Sequence, residues 1–242
     1  MILTFCMACH RREDDLYAAL PFVIAAANAS PPVEIIVVDY ANPEPLVLDQ
    51  FAENLNPPST FVVVTYRGRR HYHTTHARNL SIRHSRGEYI VTAMCDICPK
   101  PGYFALLRQR IAETDAAFLL PWAGRHRRWP RTTMPGMIVC RRAELVEAGG
   151  FDERMEFYGG EDKELGQRLL RRGAANDVYH EAAELDMIPT PNPVRIANFR
   201  LPLDKAGMMR LSNQIRYEND QKGILVVNEG HDWGAGGERR EA

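Results

Sequence analysis

Apolar and polar positions along the chain alternate between two textures. Short runs rich in β-branched residues recur as ILTFCMAC from residue 2, EIIVVD from residue 34, TFVVVTY from residue 60, EYIVTA from residue 88, AAFLLP from residue 116 and GMIVC from residue 136. They are too continuously apolar to leave one face in water, which is the pattern of strands buried on both sides. Between them, residues 14–28, 45–55, 74–85 and 101–114 carry the longer spacing of amphipathic helices. The alternation predicts an α/β fold with a mostly parallel central sheet and helices on both faces, in which ligands belong at the carboxyl ends of the strands. After GMIVC the spacing predicts a short helix over 141–148 and another over 161–172, ending before Gly173. Prolines 189, 191 and 193 interrupt the chain, 203–219 reads as helical and GILVV from residue 223 as one more strand. The Gly-rich end, 231–242, reads as a partly disordered tail behind a single domain over 1–230.

Composition narrows the class. At 242 residues, 45% hydrophobic and 25% charged, the chain can bury a substantial core. A net charge of -1 gives no footprint for nucleic acid. No apolar run approaches the roughly 20 residues that span a bilayer, and the amino terminus lacks the basic flank of a signal peptide. The expectation is a cytoplasmic chain without a transmembrane segment, with peripheral membrane association left open. Five cysteines, an odd number, disfavour a disulfide framework. Cys6/Cys9 and Cys95/Cys98 have a zinc-knuckle spacing, but the first pair falls within a strand-like run rather than on turns.

The stretch GGFDERMEFYGGEDKELGQRL from residue 149 places two glycine pairs and the adjacent acids Glu161 and Asp162 at the start of a helix. Acids suit a helix amino terminus, but the glycines mark a backbone that turns sharply or admits a close approach. Neither G-x-G-x-x-G after the first strand nor G-x-x-x-x-G-K-[ST] is present, so a phosphate-bearing ligand would need cations or a metal ion. Asp39 and Asp96 each follow a buried strand, where an acid serves either a turn or a ligand. Two basic runs, RGRRHYHTTH from residue 67 and WAGRHRRWPR from residue 122, read as solvated loops or as surfaces for phosphates and sugar rings.

The succession MACHRRED, EIIVVDYANPE, THARN, RGEYIVTAMCD and GGFDE…GGEDKELGQRLLRRG resembles the family-2 glycosyltransferases of the GT-A fold and their beta-galactosyltransferase relatives. The resemblance runs from residue 2 to about residue 180, and its specificity lies in the order of the motifs. It implies a nucleotide-binding half over 1–100 and an acceptor-binding half over 101–230. It also implies an inverting transfer from a UDP-sugar to a hydroxyl of a glycan, glycolipid or other acceptor, with Asp162 or its neighbour Glu161 as the base. Asp39 would read the uracil, and Cys9, Arg11, Arg78, Asp96, Tyr158 and Gly160 would line the donor. Mn2+ or Mg2+ would be held by Asp96 with His180 or His231. The family's Asp-x-Asp motif reads Asp96-Ile97-Cys98 here. Three options follow: Asp96 holds the metal with a later histidine, Cys98 holds a softer metal, or cations neutralise the diphosphate without metal. The rival readings are a non-catalytic nucleotide- or sugar-binding domain of the same fold and a sugar nucleotidyltransferase, which would want a glycine-rich phosphate loop near residue 10.

Overall fold

The computed structural model describes residues 1–121, 136–179, 184–199 and 202–242. Three parallel strands, β1 (Leu3–Cys9), β2 (Val33–Tyr40) and β3 (Thr60–Tyr66), lie side by side, with β4 (Tyr89–Thr92) parallel to β1 on its other edge. β7 (Ile138–Arg141) runs antiparallel to β4 and to β6 (Phe118–Pro121), and β8 (Asn176–Tyr179) pairs parallel with β6. With the carboxyl-terminal β10 (Glu238–Glu241) the sheet, among the described residues, has eight strands in the order β10-β3-β2-β1-β4-β7-β6-β8. A separate ribbon joins β5 (Ile97–Pro99) to β9 (Leu185–Met187). The expected α/β architecture is therefore present.

The apolar runs build two cores by simple alternation. In β1, Leu3, Phe5, Met7 and Cys9 face one core, while Cys6 and Ala8 face the other. β2 divides the same way, Val33, Ile35 and Val37 opposing Ile36, Val38 and Tyr40. The first core is covered by α1 (Glu13–Ala29) and α4 (Tyr103–Thr114). The second lies under α3 (Thr74–His84), α5 (Arg142–Glu147) and α6 (Glu161–Arg171). All five cysteines are free and buried, and burial pushes the Cys6 thiol up to about 12.

Three expectations change. The helix predicted over 45–55 is reduced to the single turn α2 (Asp49–Ala52), because Leu46 and Leu48 drop into the core as loop residues. GILVV is a loop, whose Val227 N–H donates to the Ala148 carbonyl. The end of the chain is ordered: β10 pairs antiparallel with the edge strand β3, and Trp233 packs beside the second core. Two further helices, α7 (Asn192–Ile196) and α8 (Lys205–Gln221), follow the proline-rich segment. Among the described residues, no helix is long and apolar enough to cross a membrane.

Candidate active site

Strand order reverses between β1 and β4, with β2 and β3 on one side and β4 on the other, and such a switch point leaves a crevice beyond the strand ends. A cavity of about 830 Å3 opens there. The residues after β1 (His10, Arg12) and after β4 (Met94, Cys95) reach it from the sheet, and Gly160–Asp162 from the start of α6. Arg195, Lys205 and Arg216 close the far side. His10 stacks on Tyr72 with ring centroids 5.6 Å apart, and burial lowers its pKa, so this wall is an uncharged aromatic face.

The two motifs of sequence interest meet beneath the cavity. Asn79 of THARN donates to the Phe151 carbonyl (2.9 Å) and to Glu153 Oε1 (2.9 Å), and accepts from Phe151 N–H (2.8 Å). This clamps the GGFDE loop. Gly149 and Gly150 have φ of +79° and +70°, and a Cβ on Gly149 would lie 2.1 Å from the Val227 carbonyl oxygen. The first glycine pair therefore admits the protein's own carboxyl-terminal segment. Arg168, fully buried, donates to the carbonyls of Ala148 (2.5 Å) and Gly150 (2.8 Å) and pairs with Glu164 (2.9 Å). The second pair forms the start of α6, where Gly160, at φ +92°, occupies the N-cap.

The adjacent acids occupy different environments. Glu161 is buried with Oε1 3.4 Å from Arg78 Nη2, and its Oε2 has no hydrogen-bond partner among the described residues. Burial raises its pKa, the Arg78 guanidinium opposes that shift and the Asp162 carboxylate adds to it. Asp162 is partly exposed, accepting from Gly136 N–H (3.1 Å) and Lys163 N–H (2.8 Å). Both acids line the cavity, as do Tyr158, under the Lys205 ammonium at 5.5 Å, and Gly160.

The structure places the other expected residues behind this lining. Asp39 is 1% exposed; it accepts from Asn42 (2.7 Å) and from Leu46 N–H (3.2 Å) and pairs with Arg67 (2.7 Å), so its carboxylate serves the protein's own loops. Arg78 is sandwiched between Glu161 and the Phe151 ring, 5.0 Å from its centroid. Cys9 is buried against Cys95, which is the main cause of its raised pKa. Arg11, at φ +52°, turns into a smaller neighbouring cleft, and it is Arg12 that faces the main cavity. His231 is exposed in a turn that follows Asn228 and lies outside the cavity lining. His180 and the run 122–131 lie outside the described residues. In the other basic run, Arg67 anchors Asp39 while Tyr72 and Thr74 reach the cavity.

Asp96 is fully buried, and both Arg12 Nη2 (2.7 Å) and Arg195 Nη2 (2.9 Å) end on its Oδ2. This donor set does not fit a divalent cation. A metal on Asp96 would face two guanidinium groups, each repelling it by about 7 kcal/mol at a separation of roughly 5 Å and an effective dielectric near 20. Cys98 does not replace the missing acid, since burial pushes its thiol up to about 11 and it packs into the first core. Among the described residues, no three histidine, cysteine or acidic side chains gather as a metal site. Sequence reasoning missed Arg12 by one position and Arg195 altogether, because a five-residue helix among prolines carries no readable period.

The sequence model of glycosyl transferase family 2 matches residues 4–178. No curated protein sequence matches the chain. Among solved structures, it is similar to Staphylococcus aureus TarS in complex with UDP, at 14% identity and TM-score 0.65, covering 91% of this chain and 72% of that one. A mannosyltransferase from Pyrobaculum calidifontis, in complex with GDP-Man and Mn2+, aligns at 17% identity and TM-score 0.59 over 74% of this chain and 55% of that one. The catalytic domain of Drosophila beta1,4galactosyltransferase 7, in complex with xylobiose, aligns at 11% identity and TM-score 0.56, covering 88% and 79%. These likenesses establish the GT-A fold.

Proposed function

The chain belongs to glycosyl transferase family 2, and from that premise we propose that it transfers a sugar from a nucleotide-diphosphate donor, a UDP-sugar, to an acceptor hydroxyl with inversion at the anomeric carbon. The observation that carries this reading is the placement of Asp162. It is a partly exposed carboxylate held by two backbone N–H groups at the edge of a cavity that, among the described residues, is lined by five cationic side chains and one other acid. The cations suit a diphosphate and the carboxylate suits a hydroxyl proton.

In the proposed step the acceptor O–H proton passes to Asp162 as the oxygen attacks the anomeric carbon from the face opposite the diphosphate. The carbon–oxygen bond to the β-phosphate breaks, and its electron pair leaves on the nucleoside diphosphate. Glu161, buried beside Arg78, holds the start of α6 in place. His10 and Tyr72 give the donor a flat wall.

A screen of nucleotide sugars by thermal shift tests the reading. A true donor at 100 times its Kd stabilises the fold by about 2.7 kcal/mol, and its slow turnover releases free nucleoside diphosphate. Stabilisation without any release would identify a binding domain instead.

A further inference from the structure

We propose that Arg12 and Arg195, oriented by Asp96, bind the donor diphosphate in the place that a divalent cation holds in a metal-dependent transferase, so that donor binding needs no metal; this rests on reading the cavity as the donor site. Four observations converge on it. Both guanidinium groups end on one oxygen of a fully buried carboxylate, which holds them side by side. Arg12 is fixed from two further sides, by Asp15 (2.8 Å) and Thr190 Oγ1 (2.8 Å), and Thr190 is itself bonded to Asp15 (3.0 Å). The two side chains are only 8% and 14% exposed, yet both line the cavity, which is the condition of a preorganised cation rather than a solvated one. Arg195 Nε, buried and without a hydrogen-bond partner among the described residues, leaves a donor unspent.

Guanidinium groups suit this task because their planar donor forks match phosphate oxygens and their charge does not depend on pH in any accessible range. Two of them span two phosphates, and the charge that gathers on the leaving β-phosphate oxygen meets donors already in place. The segment carrying Arg195 lies between β9 and α8, far in sequence from Arg12, and Asp96 is the point at which the two are brought together. Asp96 is thus a positioning residue: its Oδ2 holds both arginines, while its buried Oδ1 has no hydrogen-bond partner among the described residues.

Calorimetry on the full chain with UDP and with GDP, in EDTA and in millimolar Mn2+, tests the proposal. We expect removal of metal to weaken diphosphate binding by less than about tenfold, and Arg195→Gln to weaken it by about tenfold or more in EDTA, a loss of about 1.4 kcal/mol per factor of ten. Binding of the phosphate-free nucleoside, uridine or guanosine, should be unchanged, which a merely structural defect would not allow. Arg195→Lys, which keeps the charge, should recover part of the loss, and thermal melts confirm that each variant is folded. A tenfold or greater loss in EDTA, or unchanged diphosphate affinity in Arg195→Gln, overturns the proposal while leaving the glycosyltransferase reading intact. Failure of both diphosphates to bind under either condition overturns both.

Discussion

Arg168 shows how much of the site rests on a single side chain. It is fully buried, satisfies two carbonyls of the glycine loop and neutralises Glu164, which Asn219 also contacts at 3.0 Å. Arg168→Ala leaves a buried carboxylate without its counter-charge, so chemical denaturation should show a loss of about 3 to 5 kcal/mol. Gly149→Ala acts on the same loop from the backbone side. A methyl group there would meet the Val227 carbonyl at 2.1 Å in a left-handed conformation, and the variant should lose on the order of 2 kcal/mol or more. Residues of this kind were legible in part. The glycine pairs and the Glu161-Asp162 pair stand out in the sequence because their cost or charge needs a reason. What the first pair packs against was not legible, because Val227 and Asn79 come from distant segments. The choice between Arg11 and Arg12 turns on one left-handed residue, φ +52° at Arg11, which no spacing rule encodes.

At the scale of elements, α3 is the clearest case of a helix whose start depends on a titratable group. Its N-cap is His73, whose Nδ1 accepts from His76 N–H at 3.2 Å, and whose buried Nε2 has no hydrogen-bond partner among the described residues. Burial, with the nearby Arg69 and His76, lowers its pKa from 6.5 to about 3. In the unfolded chain this imidazole takes a proton near pH 6.5, while the folded protein refuses it until about pH 3. The unfolded state therefore binds more protons through that window, and stability falls as the pH falls, by up to about 1.4 kcal/mol per pH unit for this one group. His73→Asn keeps a good capping residue and should flatten the acid limb by one proton, as measured by urea unfolding at pH 6.5, 5 and 4. An unchanged slope would assign the acid sensitivity to the other histidines with lowered pKa values, His10, His76 and His84. Helices α1, α3, α4 and α6 were legible from periodicity and breakers. Helix α2 is shorter than its expected span, because Leu46 and Leu48, two positions apart, anchor an extended loop ahead of it.

For the whole molecule, the alternating runs determine a sheet with two cores, and that much follows from apolar strands that need cover on both faces. The order of the strands, and hence the switch point, depends on crossovers that local pattern does not contain. The carboxyl terminus was misread for a related reason: a polar, Gly-rich segment becomes a strand only because the edge of β3 is there to pair with it. Deleting 231–242 should expose that edge, lower the melting temperature by on the order of 10 °C at about 2 to 4 °C per kcal/mol, and promote aggregation through TFVVVTY. The cavity at the switch point, with Asp162 on one side and arginines on the other, is what this architecture delivers to chemistry. The most direct test of that claim is single-turnover release of nucleoside diphosphate from the stabilising nucleotide sugar, compared between Asp162→Asn and Glu161→Gln with donor affinity measured for each. Asp162→Asn should bind donor normally and turn it over about 100- to 10,000-fold more slowly. Near-normal turnover by Asp162→Asn, with collapse only in Glu161→Gln, would contradict it.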